Sequence, residues 1–157
     1  MNQRKPLKEL NLLDKFLFDE AMDDPENVKT MLDIILSQNT NLKHPPQTEK
    51  EQRTSTDNRQ IRLDVYAIDE DDVIYEAEAQ KENTHNLPKR SRLYQGIIDS
   101  KLLPLGVIDF NLLNEVLIVL IMPFDLFGYG LYRYTFHMRC EEVPELKLDD
   151  GATRIFL

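Results

Sequence analysis

Apolar positions change their spacing several times along this chain, and each change predicts an element. In residues 11–21, Leu13, Phe16, Leu17 and Glu20 fall at i, i+3, i+4 and i+7, the spacing of one helical face. Asp24-Pro25-Glu26 then restarts a helix, with Asp24 suited to the N-cap and Pro25 to the first helical position. Val28, Met31, Leu32, Ile35 and Leu36 form its apolar stripe. Residues 39–59 are polar and contain Pro45-Pro46, which predicts a loop with a short strand around Glu49 to Arg53. From Ile61 the period becomes two. Leu63, Val65 and Ala67 alternate with Arg62, Asp64, Tyr66 and Ile68. After Asp69-Glu70-Asp71-Asp72, Val73, Tyr75, Ala77 and Ala79 alternate with Ile74, Glu76, Glu78 and Gln80. Two such runs about a short acidic turn predict a β-hairpin.

Polar residues Asn83 to Asn86 precede a helix predicted over Pro88 to Leu102, burying Leu93, Ile97 and Gly96 and ended by Leu103-Pro104-Leu105-Gly106. Val116 to Met122 is continuously apolar and rich in β-branched residues, as in a strand buried on both faces. Gly128-Tyr129-Gly130 predicts a turn into an alternating strand, Leu131 to Met138. Residues 141–150 read as an acidic loop, and Thr153 to Leu157 as a last strand. The order α-α-(β)-β-β-α-β-β-(β), without internal repeats, predicts an α/β (α+β) fold in a single domain over residues 1–157.

Composition narrows this picture. A chain of 157 residues has the size of one domain and buries roughly 68–70% of its unfolded surface. It is 41% hydrophobic and 30% charged, an ordinary soluble balance, and its longest apolar run falls well short of the ~20 residues of a membrane helix. Met1 to Glu9 is polar and basic, unlike a secretory leader. The single cysteine, Cys140, excludes an internal disulfide and fits a reducing compartment. A cytoplasmic protein with no membrane partner is the expectation. The net charge of −9 argues against a general nucleic-acid binder. That charge is unevenly placed: residues 43–62 carry +2 and residues 81–101 carry +3, whereas residues 63–80 carry −7 with no basic residue.

The acidic segment is the hairpin. Its two-residue period places Glu76, Glu78 and Gln80 on one strand face, with Asp64 on the same side if the register allows. Carboxylates held that close repel and need protons or a cation to stay together. Hard oxygen ligands suit Mg²⁺, which takes one or two carboxylates plus water and phosphate. The implied chemistry is metal-assisted attack of water on a phosphodiester. The same pattern equally describes a solvated face of alternating acids, and spacing alone leaves both open. Glu76 reads as a solvated or supporting residue, and Glu20 as either an extra acid near the metal or a helix-rim residue. Lys81 follows Gln80, and strand alternation turns it to the opposite face. Arg62, two residues before Asp64, reads as a partner for the hairpin acids. His44, His85 and His137 lack the spacing of a zinc site, and no glycine-rich phosphate loop is present. Cys140 reads as a structural thiol and the aromatic stretch Phe124 to Phe136 as packing.

Asp64, the hairpin, and then Tyr75-Glu76-Ala77-Glu78-Ala79-Gln80 resemble the catalytic signature of the PD-(D/E)XK nuclease superfamily. More narrowly they resemble its Rpn branch of recombination-promoting nucleases and transposase-like proteins, in which glutamine replaces the final lysine. Leu12-Leu13-Asp14-Lys15-Phe16-Leu17-Phe18, Arg59-Gln60-Ile61-Arg62-Leu63-Asp64-Val65, Lys89-Arg90-Ser91-Arg92-Leu93-Tyr94, Pro123-Phe124-Asp125 and Gly151-Ala152-Thr153-Arg154 extend the likeness over nearly the whole chain. The resemblance implies a restriction-endonuclease-like core, a mixed central sheet flanked by helices. It also implies a Mg²⁺-dependent DNA endonuclease, with Mn²⁺ able to substitute, acting on double-stranded DNA in recombination. Asp64 and Glu78 would be the catalytic metal ligands. Gln80 would stand where lysine usually orients the attacking water, although glutamine neither takes a proton nor supplies charge. Arg90 and Tyr94, at i and i+4, match the family's helix motif and share a face from which they reach a phosphate or brace the site. Family members often carry further helical sequence after this region, so a domain truncated at the C-terminus is an expectation. A homodimer is the simplest way to cut two strands. Two rivals stand beside this reading. One is a catalytically degenerate nuclease fold serving as a DNA-binding module, which Gln80 and the acidic charge favour. The other is a protein-interaction domain that uses Asp69 to Asp72 as its recognition surface.

Overall fold

The computed structural model describes residues 11–52 and 61–157; the basic N-terminal segment, the end of the short strand expected to reach Arg53, and Arg59 lie outside the described residues. Its elements are α1 (Lys15–Met22), α2 (Pro25–Leu36), β1 (Gln47–Gln52), β2 (Ile61–Ile68), β3 (Ile74–Ala79), α3 (Leu87–Asp99), β4 (Val116–Ile121), β5 (Tyr134–Phe136) and β6 (Ala152–Phe156). Helix α1 starts later than its apolar spacing predicts. Asn11 makes a turn first: its side chain accepts from the Leu13 N–H at 3.0 Å and its carbonyl from the Asp14 N–H at 2.8 Å. Helix α2 starts where expected, with Asp24 accepting from the Glu26 N–H at 3.0 Å and Pro25 in the first turn.

The strands form one six-stranded sheet in the order β1-β2-β3-β4-β6-β5. β1, β2 and β3 pair antiparallel; β3–β4 and β4–β6 are parallel; β5 is an antiparallel edge on β6. A parallel β3–β4 pair needs a crossover, and α3 supplies it. Both faces of the sheet are therefore covered. Phe18, Met22, Val28, Leu32 and Ile35 of α1 and α2 pack on Val65, Ala67, Tyr75, Ala77, Val119 and Ile155. On the other face Tyr94, Ile97 and Ile98 of α3 pack on Leu63, Tyr66, Ile74, Val116 and Ile118. The chain is a mixed α/β fold with a mixed sheet between helices.

Three expectations need correction. In α3, Leu93 is 42% exposed and Gly96 is exposed, while Tyr94, Gln95, Ile97 and Ile98 turn inward. The helix is rotated so that Tyr94, Ile97 and Ile98 pack on the sheet, while Gln95 bonds to Asp99 on the helix itself. Leu63 packs with Tyr66 in the α3-side cluster and not with Val65 and Ala67, so strict alternation breaks at Asp64. β5 keeps only the middle of the strand expected over 131–138. Its neighbours serve a loop built on Asp125. That carboxylate accepts from the N–H groups of Phe127, Gly128 and Gly130 at 3.1, 2.9 and 2.6 Å and from the Tyr134 hydroxyl at 2.7 Å. Part of the aromatic stretch packs as expected, with Phe127 4.8, 5.0 and 5.2 Å from the Tyr134, Phe136 and Phe156 rings, centre to centre, whereas Tyr129 and Tyr132 are exposed.

The Tyr134 hydroxyl and the loop amides hold the Asp125 carboxyl down at about 2. A depressed native value stabilises the fold above the unfolded carboxyl's ~3.9 and loses that contribution as pH falls through about 2. Asp125→Asn is therefore expected to lower the melting temperature at neutral pH. The gap to wild type should close as the pH of the melting experiment is brought down from 4 toward about 2. A gap constant with pH would show that the charge on Asp125 does not matter.

Candidate active site

The hairpin turn is held by its own first acid. Asp69 is buried; it accepts from the N–H groups of Asp71 and Val73 at 3.0 and 2.9 Å and from the Tyr75 hydroxyl at 2.6 Å. Asp72 closes the turn in the left-handed region (φ 62°) and pairs with Lys43 at 2.6 Å. Half of the acidic run expected as a recognition surface thus has a structural task.

From this turn, β2 and β3 pair from Ile68↔Ile74 to Val65↔Ala77. β2 then continues along β1 to Ile61, and β3 along β4 to Ala79. Asp64 and Glu78 sit where the two strands part, and both are buried. Central-strand burial explains why: β3 lies between β2 and β4 with α3 above it, so all six of its residues are buried. Glu76, expected as a solvated or supporting residue, is 0% exposed, and neither of its carboxylate oxygens has a hydrogen-bond partner. Burial, reinforced by the charges of Glu78 and Asp64, pushes its carboxyl well above the usual range, and Arg90 opposes this only in part. Three carboxyl groups thus interact at the open end of the hairpin.

Helix α3 brings Arg90 and Tyr94 to the same group. The Arg90 Nη2 donates to Glu78 Oε1 and to Gln80 Oε1, and its guanidinium lies 5.9 Å from the Tyr94 ring centre. Gln80 is held from its other end as well, its Nε2 donating to the Glu82 carbonyl at 2.6 Å. Tyr94 is buried, and burial together with the Glu78 charge drives its hydroxyl above its ordinary value. Of the two roles expected for Arg90 and Tyr94, reaching a phosphate or bracing the site, Arg90 shows a bracing contact to Glu78 and Gln80, and neither residue lines the cleft beside them.

A cleft of about 460 Å³ opens on the other side of the pair. Leu13, Asp64, Glu78, Ala79, Gln80, Lys81, Glu82 and Thr84 line it. Lys81 does not face away. β3 ends at Ala79, and the Gln80 N–H makes the last bond to β4, to the Ile121 carbonyl at 2.8 Å. Past that point no ladder imposes alternation, and Gln80 and Lys81 share one cleft. Lys81 pairs with Asp14, the residue before α1, which sits next to the cleft-lining Leu13 but is not itself among the lining residues.

The remaining candidates lie apart. Glu20 is exposed on α1 and does not line the cleft. Cys140 donates to Glu142 at 3.3 Å, far along the chain from the hairpin. Among the described residues, no group of three or more His, Cys, Asp or Glu side chains is arranged to hold a metal ion. No helix among them is long and apolar enough to cross a membrane. No known protein family, curated protein or solved structure matches the chain.

Proposed function

We propose that this chain is a Mg²⁺-dependent endonuclease that hydrolyses phosphodiester bonds of double-stranded DNA, as its resemblance to the PD-(D/E)XK superfamily and the Rpn branch implies. One observation carries the reading: Asp64 and Glu78, from strands that diverge there, are buried together at one cleft, with the unpartnered carboxyl of Glu76 beside them. The donors fit Mg²⁺. They are oxygens, they hold more negative charge than Arg90 offsets, and a pair of carboxylates is what Mg²⁺ takes from a protein before water and phosphate complete its shell. When bound, the ion would lower the pKa of a coordinated water and offset charge on the phosphoryl oxygens. The protein's own residues do the positioning. Asp64 and Glu78 would hold the ion, Arg90 fixes the Glu78 carboxylate, and Gln80, tied to Arg90 and Glu82, presents a rigid polar edge to the cleft.

The same Gln80 bonds favour a second reading, a degenerate site. An amide committed to Arg90 and Glu82 takes no proton from water. Supercoiled-plasmid nicking in Mg²⁺ and in EDTA, with Mn²⁺ titration calorimetry on the same protein, separates the two. Nicking that requires Mg²⁺ is expected. DNA binding without nicking would support the degenerate module, and the absence of saturable Mn²⁺ binding would overturn the metal site itself.

A further inference from the structure

Among the described residues that line the cleft, Lys81 is the one cation; Arg90, behind Glu78 and Gln80, is not part of the lining. We infer that Lys81 is the residue of this cleft that meets a phosphate of the bound strand, and that Asp14 positions it there. The inference rests on the nuclease reading and adds a substrate contact to it.

The argument is electrostatic and geometric. Asp64, Glu78 and Glu82 all line the cleft, so a polyanionic strand entering it meets three acids. A cation offsets two of them at most, and the strand needs a positive group of the protein on the same wall. Lys81 is there. Its ammonium pairs with Asp14, 67 residues away in sequence and next to the cleft-lining Leu13, which ties the segment just before α1 to the end of β3. The pair is part-buried, with 36% exposure for the lysine side chain and 16% for the aspartate, so the lysine remains reachable from solvent. An ammonium carries three N–H donors, which lets one lysine serve a carboxylate and a phosphate together. Leu13, next to Asp14, lines the same cleft, so the segment just before α1 contributes to its wall as well as holding Lys81.

Fluorescence anisotropy of a short labelled duplex, titrated in Ca²⁺ over a range of salt, tests this. Each phosphate contact contributes about 0.9 to the slope of log K against log salt. Lys81→Met, which keeps the aliphatic stem, should lower that slope by about 0.9, roughly eight-fold weaker binding at about 0.1 M salt. Lys81→Arg should restore most of both. Asp14→Asn breaks the same ion pair but leaves the lysine charged, so it should keep the wild-type slope while slowing plasmid nicking. Lys147→Ala, in the loop before β6, should match wild type. If Lys81→Met and Asp14→Asn lose slope and affinity equally, the lysine serves only to tie α1 to β3 and the inference falls. It falls too if Lys81→Met binds as wild type does while wild type nicks normally. A wild type that neither binds nor nicks duplex DNA overturns the nuclease reading, and this one with it.

Discussion

Asp64→Ala and Glu78→Ala should each reduce Mg²⁺-dependent nicking at least about a thousand-fold, ~4 kcal/mol of transition-state stabilisation. The double variant should be little worse than either. Two carboxylates that hold one cation act as a unit, and losing either loses the ion's contribution, so the effects do not add. Folding has to be separated from chemistry, because Glu78 also holds Arg90. Glu78→Gln keeps an acceptor for the guanidinium and an almost unchanged volume; it should melt near the wild-type temperature and still fail to nick. Asp64→Asn serves the same purpose on β2. Removing a charge from a crowded acidic cluster also relieves repulsion, so neither amide variant is expected to lose stability. Initial nicking rates in Mg²⁺, with circular dichroism melts of the same preparations, make the check. Two amide variants that nick at the wild-type rate would place the chemistry elsewhere.

The sequence made the hairpin legible because its physics is local. An eight-residue alternation from Ile61 to Ile68, an acidic turn and a second alternating run need no distant partner to be read. The same holds for Asp24-Pro25 and for the unbroken apolar run that became β4. What stayed hidden depended on neighbours far along the chain. Glu76 looks like any acid on a strand face until β4 pairs alongside β3 and α3 closes over it, and only that order of strands buries it. Lys81 was turned away by extending a two-residue period one step past the last ladder bond, which Gln80 makes to Ile121. In α3, hydrophobicity favoured Leu93 for the core. The helix buries Tyr94 in its place, in an apolar cluster that the charges of Glu78, Glu76 and Asp64 reach, and Gln95 beside it bonds to Asp99. Asp64, Glu78, Gln80, Arg90 and Tyr94 were all legible as candidates. The spacing left Arg90 and Tyr94 either at a phosphate or bracing the site; that neither lines the cleft was not legible, since it is set by how α3 crosses the sheet.

Glu76 should make the protein lose stability as pH rises, the reverse of an ordinary paired acid. Unfolded, its carboxyl titrates near 4.5; folded, burial and the neighbouring Glu78 and Asp64 raise it well above that value. Between the two values the native state binds the proton and the unfolded state does not. The unfolding free energy therefore falls by about 1.4 kcal/mol per pH unit across that window, and levels off above the folded value. Glu76→Gln has no proton to lose and nearly the same shape, so it should remove this slope. The variant should be close to wild type near pH 4 and clearly more stable at pH 8, measured by urea denaturation at several pH values. Asp99, whose carboxyl burial also raises, contributes a slope of the same sign to both proteins and cancels in their difference. Parallel curves for the two proteins would mean that Glu76 is neither neutral nor unpaired in solution. The same difference reports on the site. A divalent cation between Asp64 and Glu78 would favour the ionised form of Glu76, so saturating Mg²⁺ should flatten the wild-type slope toward that of Glu76→Gln. Stability that ignores Mg²⁺ across this window would leave the three carboxyl groups as a proton-holding cluster and not a metal site.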